Sequence, residues 1–281
     1  MIDLHTHSTY SDGTLSPEEL IREAEKANLA AIALTDHNTI AGLPDFLRAA
    51  EGSFVAAIPG TEFSTEYNGK ELHILGLFIT PEHYGEVKSV LNEMLRNKER
   101  SSRNLVAALK TADIHLDYDR IRDATPDGYV NRALIGAEMV RLGYVRSVQE
   151  AFSLWLSPKH GYYVPPKRLD AFDAIRFIKS IGACAVLAHP FLNLDEEGLR
   201  GFLPRAVEAG LDGMEVFYPL FDGEQTELAM SVAKEFGLLP SGGSDFHGQN
   251  KPHIRLGTGR GELHVPDQWL RDMEQCVPQG E

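Results

Sequence analysis

The amino-acid sequence predicts an α/β protein with a helical insertion. Short runs of apolar and β-branched residues alternate with helical segments, which is typical of a fold built from β-α units. From about residue 81 to residue 164 this alternation stops, and no run typical of a strand is found. We therefore predict a barrel formed by residues 1–80 and 165–281, with residues 81–164 inserted as a small helical domain.

The strands and the first helix are predicted from local patterns. Eight segments have the composition of strands: residues 2–6, 30–35, 54–59, 71–78, 183–188, 213–217, 238–242 and 257–260. Ser16, Pro17 and Glu19 supply an N-cap, a proline at the first helical position and the acidic residue of a capping box, so a helix should begin there. Asn68-Gly69 separates two strand-like runs and predicts a hairpin turn.

Three segments of the insertion have helical patterns. They are residues 86–112, 132–142 and 148–156. Pro158 and the run Tyr163-Val164-Pro165-Pro166 then indicate a return to the α/β part of the chain, because proline interrupts helices.

Composition and charge restrict the class of protein. The chain has 281 residues, of which 43% are hydrophobic and 24% charged, as in folded globular proteins. It shows no long apolar run and no signal-peptide pattern, and it has two cysteines, so we expect a cytoplasmic protein without membrane contact. The net charge of −14 argues against duplex nucleic acid as a partner. An anionic substrate would need metal ions or a few well-placed basic residues.

Histidines and carboxylates stand at or just after the predicted strands. His5 and His7 share one face of the first strand, and Asp245 and His247 share a face after a later one, because strand side chains alternate. In a parallel barrel, strand ends meet at one rim. The complete set is His5, His7, Asp12, His37, Glu62, His73, His189, Asp245 and His247. Six imidazoles and three carboxylates exceed the ligands of one ion, so we predict two or three divalent cations.

Each member of this set has another explanation when taken alone. Asp12 precedes a glycine and could serve only as a turn residue. Asp36, beside the set, could cap the next helix instead of binding metal. Glu62 and His73 could be surface residues, and His189 could be a hydrogen-bonded core histidine. The prediction of metal binding therefore depends on the whole set and on its position at strand ends.

Seven short segments combine into a recognisable set of motifs. They are His5-Thr6-His7, Asp12-Gly13, Thr35-Asp36-His37, Gly60-Thr61-Glu62, His73-Ile74-Leu75-Gly76-Leu77, Ala188-His189-Pro190 and Gly243-Ser244-Asp245-Phe246-His247. This set resembles the PHP (polymerase and histidinol phosphatase) family and spans nearly the whole chain. The resemblance implies a distorted, TIM-like (β/α)7 barrel with a trinuclear metal site.

The resemblance also implies how the ligands are shared. The first ion would take His5, His7, Glu62 and Asp245. Glu62 would bridge to a second ion held by His73 and His189. The third ion would take Asp12, His37 and His247. Mn²⁺ is the expected metal, with Zn²⁺ and Fe²⁺ as alternatives.

Further segments resemble the branch that contains 3′,5′-nucleoside bisphosphate phosphatases and 5′→3′ exonucleases acting on short RNA. They are residues 73–77, 131–136 and 161–166. This branch implies hydrolysis of the 3′-phosphate of a bisphosphonucleotide by a metal-bridging hydroxide, with Asp245 and His247 as catalytic residues. The predicted substrate-binding residues are Arg132, Lys159, His160 and Ser244, of which Ser244 could instead be structural, and the insertion is predicted to cap the active site.

Several alternatives remain open at this point. The first alternative is cleavage of short RNA oligonucleotides, which uses the same chemistry. The second is hydrolysis of histidinol phosphate, another substrate within the family. The third is a barrel that binds metal without catalysing a reaction. Arg132 could be a solvated helix residue, and Phe191 and Tyr218 could either stack on a base or pack at the rim. No obligate protein partner is predicted.

Overall fold

The computed structural model describes residues 1–125 and 130–277. The chain divides into two compact units. The first unit contains Met1–Lys88 and Leu169–Glu281, and the second contains Ser89–Arg168.

The first unit is organised around one sheet. Its strands are β1 (Ile2–Thr6), β2 (Ala31–Leu34), β3 (Ala56–Tyr67), β4 (Lys70–Leu77), β5 (Leu169–Asp170), β6 (Cys184–Leu187), β7 (Gly213–Phe217) and β8 (Leu239–Gly242). The order is β1-β2-β3-β4-β6-β7-β8, with the two-residue β5 paired to β3. Only β4 runs antiparallel to both of its neighbours on this path. A bridge between Thr6 and Phe246 brings β1 beside the segment after β8, so the sheet nearly closes. The predicted distorted α/β barrel is confirmed.

The helices of the first unit cover the sheet, and those of the second unit pack on one another. In chain order they are α1 (Pro17–Lys26), α2 (Leu43–Ala49), α3 (Tyr84–Leu109), α4 (Tyr118–Asp123), α5 (Arg132–Arg141), α6 (Val148–Ala151), α7 (Ala171–Ser180), α8 (Glu196–Ala209), α9 (Gly223–Glu235) and α10 (Asp267–Glu274). A π-helical turn, Phe152–Leu156, continues α6. Within the described ranges, no helix combines the length and apolarity that a bilayer span requires.

Two local predictions are confirmed. Ser16 accepts a hydrogen bond from the backbone of Glu19, and the Glu19 side chain accepts one from the backbone of Ser16, so α1 begins with a capping box. Asn68 and Gly69 have φ angles of 50° and 76° and join β3 to β4 through a two-residue turn. Both positions are in the left-handed region, which explains the Asn-Gly pair.

The strand predicted at 54–59 was partly wrong, and the strand predicted at 257–260 was wrong. The predicted strand ended at residue 59, before Gly60-Thr61-Glu62. The observed β3 continues through these residues to Tyr67, because β4 pairs with it from Gly60 to Tyr67. Residues 257–260 form turns, since Gly257 and Gly259 have φ angles of 74° and 56° that reverse the chain.

Candidate metal centre

The barrel brings all nine predicted ligands together. Four overlapping groups have donor atoms within 4.8 Å of one another: His7 with Asp12, His37 and His247; His5 with His7 and Asp245; His5 with Glu62 and His189; and His37 with Glu62 and His73. Because neighbouring groups share His5, His7, His37 or Glu62, they form one continuous cluster. The cluster lies where strands end, except for Glu62 and His73, which lie within β3 and β4.

Glu62 lies at the middle of the cluster. Its Oε2 atom is 3.3 Å from Nε2 of both His5 and His7 and 2.9 Å from Nδ1 of His37. Its Oε1 atom is 2.7 Å from Nδ1 of His73 and 3.0 Å from Nε2 of His189. One carboxylate therefore reaches five imidazoles.

Asp12 and Asp245 lie on either side of His7. The Oδ1 atom of Asp245 is 3.3 Å from Nε2 of His7, and the Oδ1 atom of Asp12 is 3.8 Å from Nδ1 of the same ring. His247 stacks on His7 with ring centroids 4.1 Å apart and places Nε2 at 3.1 Å from Asp12. His7 thus joins the two ends of the cluster.

Several buried donor atoms of the cluster have no hydrogen-bond partner. They are Nε2 of His5, both ring nitrogens of His7, Nδ1 of His37 and Oε2 of Glu62. Buried polar atoms without partners are costly, and native proteins satisfy nearly all of them. Imidazole nitrogens and carboxylate oxygens are the ligands that Zn²⁺, Mn²⁺ and Fe²⁺ accept. The residues present therefore fit divalent cations, and more than one of them.

Hydrogen bonds outside the cluster set the ring tautomers. Nδ1 of His5 donates to Glu215 at 2.9 Å, so Nε2, which lies 3.3 Å from Oε2 of Glu62, is the ring nitrogen left to bind a cation. Nδ1 of His247 donates to the backbone carbonyl of Asp245 at 2.8 Å, which leaves Nε2 facing Asp12. Such bonds orient ligating histidines and strengthen them as ligands.

Opposite charges shift the pKa values of the cluster. Burial raises the pKa of the Glu62 carboxyl, but the surrounding histidines outweigh it and hold the pKa well below its usual value. Burial lowers the pKa of His73, yet the neighbouring Glu62 carboxylate raises it to about 9. The metal-free centre thus holds protons on imidazoles where a cation would bind.

We expect cation affinity to rise with pH, because the proton on His73 has to leave before its nitrogen can bind a metal. The part of this rise that is due to His73 should continue up to about pH 9, its raised pKa, and level off above it. In the metal-free protein, the ion pair with Glu62 stabilises the fold below pH 6.5, and that stabilisation is lost as the pH passes through 9. Anaerobic Mn²⁺ titration calorimetry at three pH values, in buffers of different ionisation enthalpy, measures affinity and proton release. Equal affinities without proton release would contradict this account.

Two buried carboxylates that support the cluster were not predicted. Glu215 accepts from Nδ1 of His5 and from the backbone nitrogen of His189 at 2.6 Å. Asp3 accepts from the backbone and hydroxyl of Ser244 at 2.8 and 2.5 Å and from the backbone of Gly257 at 2.7 Å. The available signal for both was an acidic residue with apolar strand residues on each side, Ile2 and Leu4 around Asp3 and Met214 and Val216 around Glu215.

The predicted substrate-binding residues lie in different surroundings. Ser244 belongs to the first unit and is 1% exposed. Its hydroxyl donates a hydrogen bond to Asp3, so its observed contact is structural. Arg132, Lys159 and His160 belong to the second unit. Asp36, which was considered as a helix cap, instead accepts hydrogen bonds from Ser8 and Ser11 in the loop after β1.

A match to a family model decides the classification. The model described as PHP domain matches residues 3–151, more than half of the chain. The chain belongs to the PHP domain family. The matched region of this PHP protein holds six of the nine cluster residues, and His189, Asp245 and His247 follow it.

Relatives of this PHP protein cover most of its length. A 5′-3′ exoribonuclease from Haemophilus influenzae is 34% identical over 246 residues, which is 87% of this chain and 89% of the relative. A 3′,5′-nucleoside bisphosphate phosphatase from Chromobacterium violaceum is 29% identical over 248 residues, 88% of this chain and 87% of the relative. Both relatives are hydrolases of phosphate esters.

A solved structure is similar over nearly its whole length. It is an amidohydrolase from Chromobacterium violaceum with bound sulfate and no metal, 27% identical, with a TM-score of 0.73. The match covers 99% of this PHP protein and 97% of the other chain. The fold is therefore shared, including the region after residue 151.

Proposed function

We propose that this chain is a metal-dependent phosphoesterase that removes the 3′-phosphate of 3′,5′-bisphosphonucleotides. The main support is the buried cluster in which Glu62 reaches five imidazoles while several donor atoms lack hydrogen-bond partners. Two or three divalent ions bound there, with Mn²⁺ as the proposed metal, would neutralise phosphate charge and lower the pKa of a water molecule.

The protein's own residues would orient the water and accept its proton. Asp245 places Oδ1 between His5 and His7, at 3.7 and 3.3 Å from their Nε2 atoms. Its pKa is held well below the usual value because the charges of His5 and His7 outweigh the effect of burial, so it stays an acceptor at neutral pH. His247 lies beside it, with Nδ1 fixed by the Asp245 carbonyl. We assign the catalytic roles to these two residues.

The second phosphate of the substrate needs a cationic site, which we assign to Arg132, Lys159 and His160. The Arg132 guanidinium lies 4.2 Å from the centre of the Tyr163 ring and 5.4 Å from that of Phe152, and it donates to the Leu156 carbonyl at 3.3 Å. Among the described residues, no carboxylate forms an ion pair with it. An arginine held this way can still bind phosphate through two N–H groups.

We expect Arg132→Ala to raise KM for a bisphosphonucleotide by about tenfold or more and to change KM for a simple aryl phosphate little. The reason is that a charge-assisted hydrogen bond contributes about 1.5–3 kcal/mol. Steady-state kinetics on both substrates measure the difference. Arg120→Ala, which removes an exposed arginine of the same unit, is the matched control. Equal KM changes for both substrates would remove Arg132 from the substrate site.

A second candidate is 5′→3′ cleavage of short RNA, favoured by the exoribonuclease relative at 34% identity. The same metal centre would cleave a phosphodiester, so the two candidates differ in substrate and not in chemistry. Phosphate and nucleotide release from a bisphosphonucleotide, a 5′-phosphorylated trinucleotide and histidinol phosphate, assayed with Mn²⁺-loaded protein, would rank them. Absence of hydrolysis of all three, with metal bound, would reject the proposal.

A further inference from the structure

The two carboxylate oxygens of Asp245 have different neighbours. Oδ1 faces the cluster, 3.3 Å from Nε2 of His7 and 3.7 Å from Nε2 of His5. Oδ2 accepts a hydrogen bond from the Tyr218 hydroxyl at 2.8 Å and lies 2.6 Å from Nζ of Lys251. The carboxylate is thus held from the side opposite the histidines.

The backbone also fixes Asp245. Its φ angle of 52° lies in the left-handed region, and its backbone nitrogen donates to the carbonyl of His5 at 2.9 Å. Such a conformation in a residue other than glycine persists only where its surroundings determine it. With the backbone held by β1, the direction of the side chain depends on what binds Oδ2.

Tyr218 and Lys251 reach Oδ2 from two different segments. Tyr218 follows β7, is 5% exposed, and packs with ring centroids 5.3 Å from His189 and 5.2 Å from Phe221. Its hydroxyl is protonated at neutral pH, as tyrosine normally is, and it donates to Oδ2 of Asp245. Lys251 follows the turn at 248–250, and its side chain is 39% exposed.

Lys251 also has a distinctive charge environment. Its Nζ lies 2.6 Å from Oδ2 of Asp245, a carboxylate of the metal cluster. Its ammonium therefore lies beside a centre that would hold two or three dications. A cation at that position weakens metal binding by Coulomb repulsion. A lysine there is therefore expected to contribute to another property of the site.

We propose that Lys251 is a positioning residue that, together with Tyr218, makes Asp245 present one oxygen to the bound cations. Binding through Oδ1 alone leaves more of the metals' coordination sphere for water and the phosphate oxygens. Without Lys251, the carboxylate can turn and chelate through both oxygens, and the repulsion disappears. The effect on turnover rests on the proposed function, whereas the effect on metal binding does not.

The test compares Lys251→Met with Lys251→Arg. We expect the Met variant to bind Mn²⁺ about threefold more tightly, because a nearby positive charge is removed, and to lose kcat by about tenfold, as for other residues that orient metal ligands. In the Co²⁺-loaded Met variant, the visible absorption bands should shift because the coordination by Asp245 changes. The Arg variant keeps the charge and a donor, and should resemble the parent in all three measurements.

Lys26→Met is the matched control, since it removes an ion-paired surface lysine on α1. Parent-like Mn²⁺ affinity and Co²⁺ spectrum in Lys251→Met would overturn the proposal. Weaker Mn²⁺ binding in that variant would overturn it as well, because it would indicate a merely structural contact. If the parent hydrolyses no nucleotide, the proposed function fails, while the Mn²⁺ and Co²⁺ measurements still decide the role of Lys251.

Discussion

Replacing Asp245 by alanine is expected to abolish phosphate-ester hydrolysis while the barrel remains folded. The side chain would supply one ligand oxygen between His5 and His7 and is the proposed acceptor for the proton of the attacking water. General-base catalysis contributes about 10²–10⁴-fold in rate, so kcat should fall by at least that factor. The backbone bond from Asp245 to His5 does not need the side chain, and the fold should therefore survive.

The measurement has to distinguish a slower catalytic step from a loss of bound metal, since either would lower turnover. We would determine kcat at saturating Mn²⁺, with metal content measured in the same samples and folding checked by circular dichroism. Asp195→Ala serves as the control, because Asp195 caps α8 and is not part of the cluster. A kcat near that of the parent in metal-replete Asp245→Ala protein would refute the catalytic assignment.

The second large effect is expected from Glu62→Gln, which keeps the shape of the side chain and removes its charge. Glu62 is the one carboxylate that reaches five imidazoles, and two of the four candidate ligand groups contain it. A neutral amide attracts a divalent cation less strongly than a carboxylate, because the Coulomb attraction between opposite charges is lost. We therefore expect the variant to lose at least one ion per chain and, with it, nearly all turnover.

Elemental analysis after dialysis against metal-free buffer measures the ion content directly. Glu66→Gln is a close control because Glu66 lies four residues further along β3, outside the ligand groups. Parent-like metal content in Glu62→Gln would mean that Glu62 binds no cation and that the ions, if present, are held by the other groups.

Much of the ligand set could be predicted because strand alternation and strand ends are local properties of the sequence. His5 and His7 share a face for that reason, and the observed hairpin at Asn68-Gly69 follows from backbone preferences. The position of Glu62 within a strand was harder to predict from the sequence. Gly60-Thr61-Glu62 has the composition of a loop, and its pairing with β4 and with the segment after β2 makes it part of a strand.

The supporting residues could not be predicted because they depend on contacts between distant segments. Glu215 contacts His5, 210 residues away in sequence, and Asp3 contacts Ser244 across 241 residues. Lys251 lies in a loop with no regular pattern, so nothing in the local sequence indicates its approach to Asp245. Ser244 was predicted to contact substrate, although its motif position gives no information on whether Asp3 occupies its hydroxyl.

The Asp3 contacts join the first strand to the segments around residues 244 and 257. During synthesis, a nascent chain that ends before β8 already carries seven of the nine candidate ligands but lacks Asp245 and His247, and it cannot make the backbone bond from Asp245 to His5. Cation uptake at full affinity would therefore have to wait until the segment from residue 244 to residue 257 has left the ribosome. Metal content would then report, in a purified preparation, whether this late segment has folded onto the first strand.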